Sequence, residues 1–112
     1  MIRVGTDIVN IPEFTESLQG GGDNMRNKLF TSTEIKYAKR IEGLAGMFAA
    51  KEAFVKASGL SKISLKSIEV RHTKAGRPYF SKPVNELSKL TSVDLSIAHD
   101  GDYAIATCIL NY

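Results

Sequence analysis

Residues 44–58 form the segment that most restricts how this chain can fold. Four apolar residues there recur at intervals of three and four: Met47, Ala50, Phe54 and Ala57. This spacing places one apolar stripe along a helix, which must be buried. Gly59 follows and is a typical residue for ending a helix. The adjoining face carries Glu52 and Lys56 one turn apart, beside small residues that leave room for a bulky ligand.

Alternating patterns predict strands before and after this helix. Residues 2–9 alternate like a half-buried strand, with Asp7 opposite the side that carries most of the apolar residues. Residues 66–80 predict a hairpin with a turn at 73–76, and residues 93–110 predict a second one.

Capping patterns predict shorter helices. Asn10 with Glu13 begins a helix that stops at the glycine run 20–22, which we expect to be a mobile loop. The capping box that starts at Thr31 predicts a helix over 32–42.

The order of the elements defines the fold class. With a further short helix predicted from Pro83 to about Leu90, the order is β, α, α, α, β, β, α, β, β. This order is α+β and predicts an antiparallel sheet packed against helices. The 112 residues suit one small domain over 1–112.

Composition excludes several classes of protein. One cysteine, Cys108, and two histidines permit neither an intrachain disulfide nor a Cys/His zinc cluster. No stretch reaches the roughly 20 apolar residues of a membrane span, and no signal peptide is evident, so we expect a cytoplasmic protein without membrane contact. The net charge is +3, but residues 51–82 alone carry +6, which indicates a phosphorylated or acidic partner. That stretch has no aromatic stacking platform, which disfavours an unrelated nucleic-acid-binding module.

Two acids stand in apolar surroundings, Asp7 in VGTDIV and Glu52 in AAKEAF. Two carboxylates from separate elements suit a Mg²⁺ site whose other ligands are waters and phosphate oxygens. The alternative is a strand-end acid at Asp7 and a plain ion pair between Glu52 and Lys56. Lys56 could neutralise a phosphate, and His99 could bind a phosphate or shuttle a proton. For His99 the alternative is a histidine bonded to the backbone.

Five segments resemble those of a known family, the small holo-acyl-carrier-protein synthases, a class of 4′-phosphopantetheinyl transferase. They are Gly5–Val9 (GTDIV), Phe48–Ala57 (FAAKEAFVKA), Ile68–Val70 (IEV), Gly76–Tyr79 (GRPY) and Ser96–Asp100 (SIAHD). The resemblance spans nearly the whole chain in the right order. It implies the fold of this family.

The resemblance implies transfer of the 4′-phosphopantetheine arm of coenzyme A to a serine hydroxyl of an apo acyl carrier protein, releasing adenosine 3′,5′-bisphosphate. By the same resemblance Asp7 and Glu52 hold Mg²⁺, Lys56 stabilises the transferred phosphate, and His99 contacts phosphate oxygens. The serine proton goes either to a metal-bound water or to Glu52, and both remain open. The resemblance further implies five contacts with coenzyme A: Lys56, Gly59, Ser61, Pro78 and His99.

Four positions depart from the family pattern. Glu13 and Met47 stand where arginines are common, residues 59–61 lack the second glycine of the usual loop, and Ala98 replaces a serine. These departures leave open an alternative: a catalytically weakened homologue that binds coenzyme A or a carrier protein without efficient transfer.

Small members of the family are homotrimers with active sites between subunits, so the resemblance implies a homotrimer here. It also suggests a role in fatty acid biosynthesis and lipid metabolism. The sequence itself does not identify the natural carrier, which could belong to a fatty acid, polyketide or other pathway.

Overall fold

The computed structural model describes residues 1–81 and 89–112 and confirms the α+β class. Its elements are β1 (Ile2–Asn10), α1 (Ile11–Leu29), α2 (Ser32–Tyr37), α3 (Ile41–Ser58), β2 (Val70–His72), β3 (Pro78–Phe80), β4 (Ser92–Asp100) and β5 (Tyr103–Asn111). A three-stranded antiparallel sheet has the order β1-β5-β4, and β2 pairs with β3 in a separate small sheet. The helix predicted from Pro83 lies outside the described residues.

The helix α3 is the centre of the core, as its apolar stripe predicts. The four residues of the stripe are all buried: Met47, Ala50, Phe54 and Ala57. The helix packs across β1 and β5, whose inner face supplies the buried Ala104, Ala106, Cys108 and Leu110. It ends where predicted, because Gly59 adopts a left-handed conformation with φ of 72°.

Gly5 allows β1 to lie directly against α3. A Cβ atom at this position would collide with the backbone carbonyl oxygen of Ala53. Asp7 lies two residues further along and therefore on the same face of the strand. The close contact brings an acid of the sheet next to the helix that carries Glu52 and Lys56.

The helix α1 is longer than the sequence predicts. The glycine run lies within α1 instead of forming a loop, and only Gly22, with φ of 62° and ψ of −156°, leaves the helical region. Glycine tolerates this conformation without a steric penalty, so the chain kinks and then continues as helix to Leu29. The predicted helix over 32–42 is also wrong in extent, because α2 ends at Tyr37 and α3 begins at Ile41.

Strand β1 presents its apolar side outward. Ile2, Val4 and Ile8 are each more than 60% exposed, while Gly5 and Val9 on the opposite side are buried against the core. The alternation correctly placed Asp7 opposite the apolar side. However, the side of β1 that faces the core is the one that carries Gly5 and Asp7. The helix α3 lies so close to this side that only a glycine fits at position 5.

A buried ion pair joins α3 to α2 and to the segment before β2. Lys51 Nζ donates to Glu34 Oε1 at 2.8 Å and to the carbonyl oxygens of Leu65 and Ile68, and both charged side chains are fully buried. Burial lowers the pKa of Lys51, and the hydrogen bond and charge of Glu34 oppose that shift. Glu34 Oε2 also accepts the backbone N–H of Val70, so this pair positions the small sheet.

Candidate active site

Strand β1 and helix α3 bring Asp7 and Lys56 together. Lys56 Nζ donates to Asp7 Oδ1 at 2.9 Å and to the carbonyl oxygen of Thr6 at 3.0 Å. The Asp7 side chain is 17% exposed and that of Lys56 is 54% exposed. The carboxylate is therefore mostly shielded, while the amine remains accessible from solvent.

Glu52 lies one turn before Lys56 on α3 and is half-buried. Loss of hydration raises the pKa of Glu52, and the negative charge of Asp7 raises it further, whereas Lys56 lowers it. The Asp7 carboxylate is therefore close enough to the Glu52 carboxylate to affect the ionisation of Glu52. Such a pair attracts a cation, because a positive charge between them relieves their repulsion.

Both carboxylates line a cleft with a volume of about 430 Å³. Its far side is built from apolar side chains: Phe14, Met25, Leu29 and Phe48. Met25 and Leu29 belong to the cleft because α1 continues beyond the kink at Gly22. Glu13, in the first turn of α1, also lines the cleft. The site combines an acidic end with an apolar wall.

Lys56 lines a second cavity, with a volume of about 490 Å³, and is bonded to Asp7 of the first. Arg3, Gly59 and the first residue, Met1, share this cavity. The side chains of Arg3 and Lys56 supply two positive charges there, which suits phosphate groups. Lys56 therefore stands between an acidic cleft and a basic cavity.

The other predicted coenzyme A contacts are placed less closely together. Ser61 and Gly59 line a third depression of about 380 Å³ that adjoins the second cavity through Gly59. Pro78 begins β3, is half-buried and lines none of these cavities.

His99 lies toward the other end of α3. Its Nε2 atom is 2.9 Å from the carbonyl oxygen of Glu42, and a Cβ atom at Gly46 would come within 2.8 Å of the same nitrogen. Gly46 precedes Glu52 by six residues, about 9 Å along the helix axis. His99 is exposed but does not line the cleft that Asp7 and Glu52 share.

The departures from the family pattern have different surroundings. Met47 is buried in the core, so its side chain contacts the protein interior instead of a ligand. Ala98 is exposed on β4, and Glu13 faces the cleft.

Several residues of the site were not predicted from the sequence. Arg3 joins Lys56 only through the fold. Met25 and Leu29 were missed because the glycine run suggested a loop, although their i,i+4 spacing is a helical signal that continues past it.

Within residues 1–81 and 89–112, no three or more His, Cys, Asp or Glu side chains are grouped closely enough to hold a metal ion. Asp7 and Glu52 alone suit an ion that keeps most of its water ligands, as Mg²⁺ does. In the same ranges, no helix is long and apolar enough to cross a membrane.

The fold and these motifs define the class of protein. Residues 3–108 match the family model described as ACPS, 4′-phosphopantetheinyl transferase superfamily. The chain therefore belongs to the 4′-phosphopantetheinyl transferase superfamily.

Within that superfamily, the predicted resemblance to holo-acyl-carrier-protein synthases is confirmed. The holo-acyl-carrier-protein synthase of Sulfurovum sp. (strain NBC37-1) is 34% identical, over 99% of this chain and 98% of the relative. A Chronobacterium ammoniagenes ACPS–CoA complex superposes with a TM-score of 0.86 at 35% identity, covering 100% of this chain and 98% of that one. The Helicobacter pylori holo-acyl-carrier-protein synthase in complex with coenzyme A gives a TM-score of 0.89 at 25% identity, covering 96% and 99%.

Proposed function

We propose that this protein transfers the 4′-phosphopantetheine group of coenzyme A to a serine hydroxyl of an apo acyl carrier protein. The products are the holo carrier protein and adenosine 3′,5′-bisphosphate. The observation that carries the proposal is the meeting of Asp7, Glu52 and Lys56 beside one cleft of a chain that belongs to this superfamily. These residues come from two separate motifs that the resemblance identifies.

Asp7 and Glu52 would hold Mg²⁺ in this proposal. The effect of Asp7 on Glu52 supports it, because the charge of Asp7 raises the pKa of Glu52 and a bound cation would offset that repulsion. When bound, Mg²⁺ would offset the negative charge that develops on the transferred phosphate.

Lys56 and the basic cavity next to it would bind the phosphate groups of coenzyme A. Arg3 and Gly59 share this cavity with Lys56, so two cationic side chains face one space. His99 would contact a further phosphate group toward the other end of α3, and Ser61 and Pro78 would contact the rest of the cofactor. The apolar wall of the cleft would then receive the acceptor protein.

An intact-mass assay tests the transfer. The purified protein is incubated with coenzyme A, Mg²⁺ and several apo acyl carrier proteins, and we expect one carrier to gain the mass of a single phosphopantetheine. A carrier whose acceptor serine is replaced by alanine is the control and should stay unchanged. Binding of coenzyme A without an adduct on any carrier would instead support a binding-only homologue.

The outer face of the sheet supports a homotrimer as part of the proposal. Val4 pairs with Ile109 and Ile8 pairs with Ile105 across β1 and β5, and all four side chains are more than 40% exposed. A contiguous apolar surface of this kind on a soluble domain is a mark of a protein interface. We propose that residues 1–112 act as one domain and that three copies bury this face, with active sites between the subunits.

Charges on this face should dissociate the assembly. We expect the wild-type protein to have about three times its monomer mass by light scattering. The double variant Ile8→Lys/Ile105→Lys should be monomeric and inactive, because assembly would bury the two lysines and remove their hydration. Tyr79→Lys is the matched control, since Tyr79 is 43% exposed on β3, outside this face. A double variant with the mass and activity of the wild type would refute the interface.

A cytoplasmic location and a role in fatty acid biosynthesis complete the proposal. The buried thiol of Cys108 supports the location, because burial raises its pKa to about 12 and a protected thiol is compatible with a reducing compartment.

A further inference from the structure

Glu69, the residue before β2, is a buried carboxylate to which the proposed reaction assigns no role. The residue is 3% exposed, and both of its carboxylate oxygens accept hydrogen bonds. Oε1 accepts from Ser81 Oγ at 2.7 Å and from Arg71 Nε at 2.9 Å, and Oε2 accepts from Thr31 Oγ1 at 2.8 Å. One side chain therefore joins the start of α2, strand β2 and the residue that follows β3.

The donors around Glu69 keep its carboxylate charged. Burial alone would raise the pKa of Glu69, but the hydrogen bonds from Ser81, Thr31 and Arg71 and the charge of Arg71 lower it to about 2. The group is therefore ionised at neutral pH. Hydrogen bonds to an ionised acceptor are stronger than those between neutral groups, so this link is a firm one.

The hairpin of β2 and β3 is too short to hold its own position. Each strand has three residues, and the two strands form a sheet that is separate from the main one. A two-stranded hairpin is at best marginally stable by itself. Strand β2 is held by α2, because Glu34 Oε2 accepts the N–H of Val70 and the ring of Tyr37 stacks on His72 with 3.9 Å between centroids.

Strand β3 is held in the core by Phe80 and at its end by Glu69. The Phe80 ring packs against Phe54, which is an apolar and therefore non-directional contact. Ser81 is bonded to Glu69 twice, because its hydroxyl donates to the side chain and its backbone N–H donates to the carbonyl oxygen at 3.0 Å. These two directional bonds fix the course of the strand that begins at Pro78.

We infer that Glu69 is a positioning residue, which holds β3 so that Pro78 contacts coenzyme A. This inference rests on the proposed function, in which Pro78 is one of the residues that bind the cofactor. The bond between Ser81 and Glu69 acts at the far end of β3 from Pro78. Its loss therefore changes cofactor binding through the position of the strand.

Kinetic constants separate positioning from a role in stability alone. Pro78 does not line the cleft that Asp7 and Glu52 share, so its contact lies away from the transferred phosphate. Such a contact is equally strong before and during the transfer, and its loss raises KM while kcat stays unchanged. A role in stability alone predicts the opposite pattern, because a smaller folded fraction lowers the apparent kcat and leaves KM unchanged.

Four single variants of the whole chain test the inference. Ser81→Ala removes the hydroxyl that donates to Glu69, Ser81→Thr keeps a hydroxyl there, and Glu69→Gln removes the charge. Ser67→Ala is the matched control, since the Ser67 hydroxyl donates at 2.6 Å to the carbonyl oxygen of Ser64 within its own turn. The constants kcat and KM for coenzyme A are measured by intact mass at a saturating concentration of apo acyl carrier protein, and Kd for coenzyme A is measured by calorimetry.

We expect Ser81→Ala to raise both KM and Kd for coenzyme A by about threefold to tenfold, the range that corresponds to one lost hydrogen bond, at the kcat of the wild type. Glu69→Gln should raise both at least as much, because all three donors lose a charged acceptor. Ser81→Thr and Ser67→Ala should keep the wild-type values.

Two kinds of failure are distinguishable. Unchanged KM and Kd in Ser81→Ala and Glu69→Gln, a loss confined to kcat, or a Ser81→Thr variant as weak as Ser81→Ala would overturn the inference while leaving the transferase intact. No adduct on any carrier with the wild type would overturn the proposed function, and the inference with it.

Discussion

Replacing Asp7 by asparagine or Glu52 by glutamine should lower the rate of phosphopantetheine transfer by at least about 100-fold, the effect of removing one preorganised electrostatic contact in an active site. Both side chains line the same cleft, and each replacement removes one of the two negative charges proposed to hold Mg²⁺. Neither is needed for the core, so the circular dichroism spectrum and the assembly mass should not change. The measurement is the initial rate of adduct formation as a function of Mg²⁺ concentration.

Asp94→Asn is the control for this prediction. Asp94 is another aspartate on a strand, but it is 66% exposed, and among the described residues 1–81 and 89–112 its ion-pair partner is Arg77 at 3.6 Å. Its loss should leave the rate unchanged. A wild-type rate in Asp7→Asn or Glu52→Gln would refute the metal assignment.

The ionisation of Glu52 offers a second readout of the same variant. Because the charge of Asp7 raises the pKa of Glu52, Asp7→Asn should lower that pKa toward its ordinary value, although the effect of burial remains. A carboxyl-carbon NMR titration in the absence of metal measures this shift. An unchanged pKa would mean that the two carboxylates do not share a site.

Lys51→Met should lower the free energy of unfolding by about 3–5 kcal/mol, the usual cost of leaving one member of a buried ion pair without its partner. Lys51 and Glu34 are both fully buried, and the lysine also satisfies two backbone carbonyl oxygens. The methionine fills a similar volume but leaves the charge of Glu34 without a counter-ion. Urea denaturation at a fixed protein concentration measures the change, since the proposed assembly makes stability depend on concentration.

Lys56→Met is the matched control on the same helix. The Lys56 side chain is more than half exposed in its ion pair with Asp7. Exposed ion pairs contribute less than about 1 kcal/mol to the free energy of unfolding. A loss of stability at Lys56 as large as that at Lys51 would contradict the assignment of Lys51 as the structural lysine and Lys56 as the functional one.

The elements predicted best from the sequence are those whose local pattern and tertiary packing agree. The stripe of α3 repeats over four turns and ends at a glycine, so its face and its end at Gly59 were both predicted correctly. The capping box at Thr31 is present, with Glu34 as its third residue. The hairpin predicted over 93–110 is likewise present, as the antiparallel pair β4 and β5.

Other features depend on distant parts of the chain and were not predictable in this way. The glycine run has poor helix propensity, yet packing of Met25 and Leu29 against the core keeps α1 helical after Gly22. Strand β1 has one apolar side and one side that carries Gly5 and Asp7. Within the single chain the side with Gly5 is buried, because α3 packs closely against it, and the local sequence does not show this contact.

The local sequence also did not show which charged residue of α3 is buried. The apolar setting of AAKEAF suggested Glu52 as the buried charge, but Lys51 is the one fully buried and Glu52 is half-buried. Side chains of neighbouring residues on a helix point about 100° apart. The hydropathy of the surrounding sequence therefore cannot show which of the adjacent residues Lys51 and Glu52 is buried. The structure brings Asp7 and Glu52 to one cleft, and their role as metal ligands stays a prediction that rests on the motifs containing them.

The most direct test of the proposed transfer is a comparison of the two products in one reaction. The purified protein is mixed with coenzyme A, Mg²⁺ and an apo acyl carrier protein, and adducts are counted by intact mass while adenosine 3′,5′-bisphosphate is measured by chromatography. Phosphopantetheine transfer predicts equal amounts of both products, and neither when a chelator removes Mg²⁺. Adenosine 3′,5′-bisphosphate without an adduct, or an unmodified carrier despite bound coenzyme A, would contradict the proposed function.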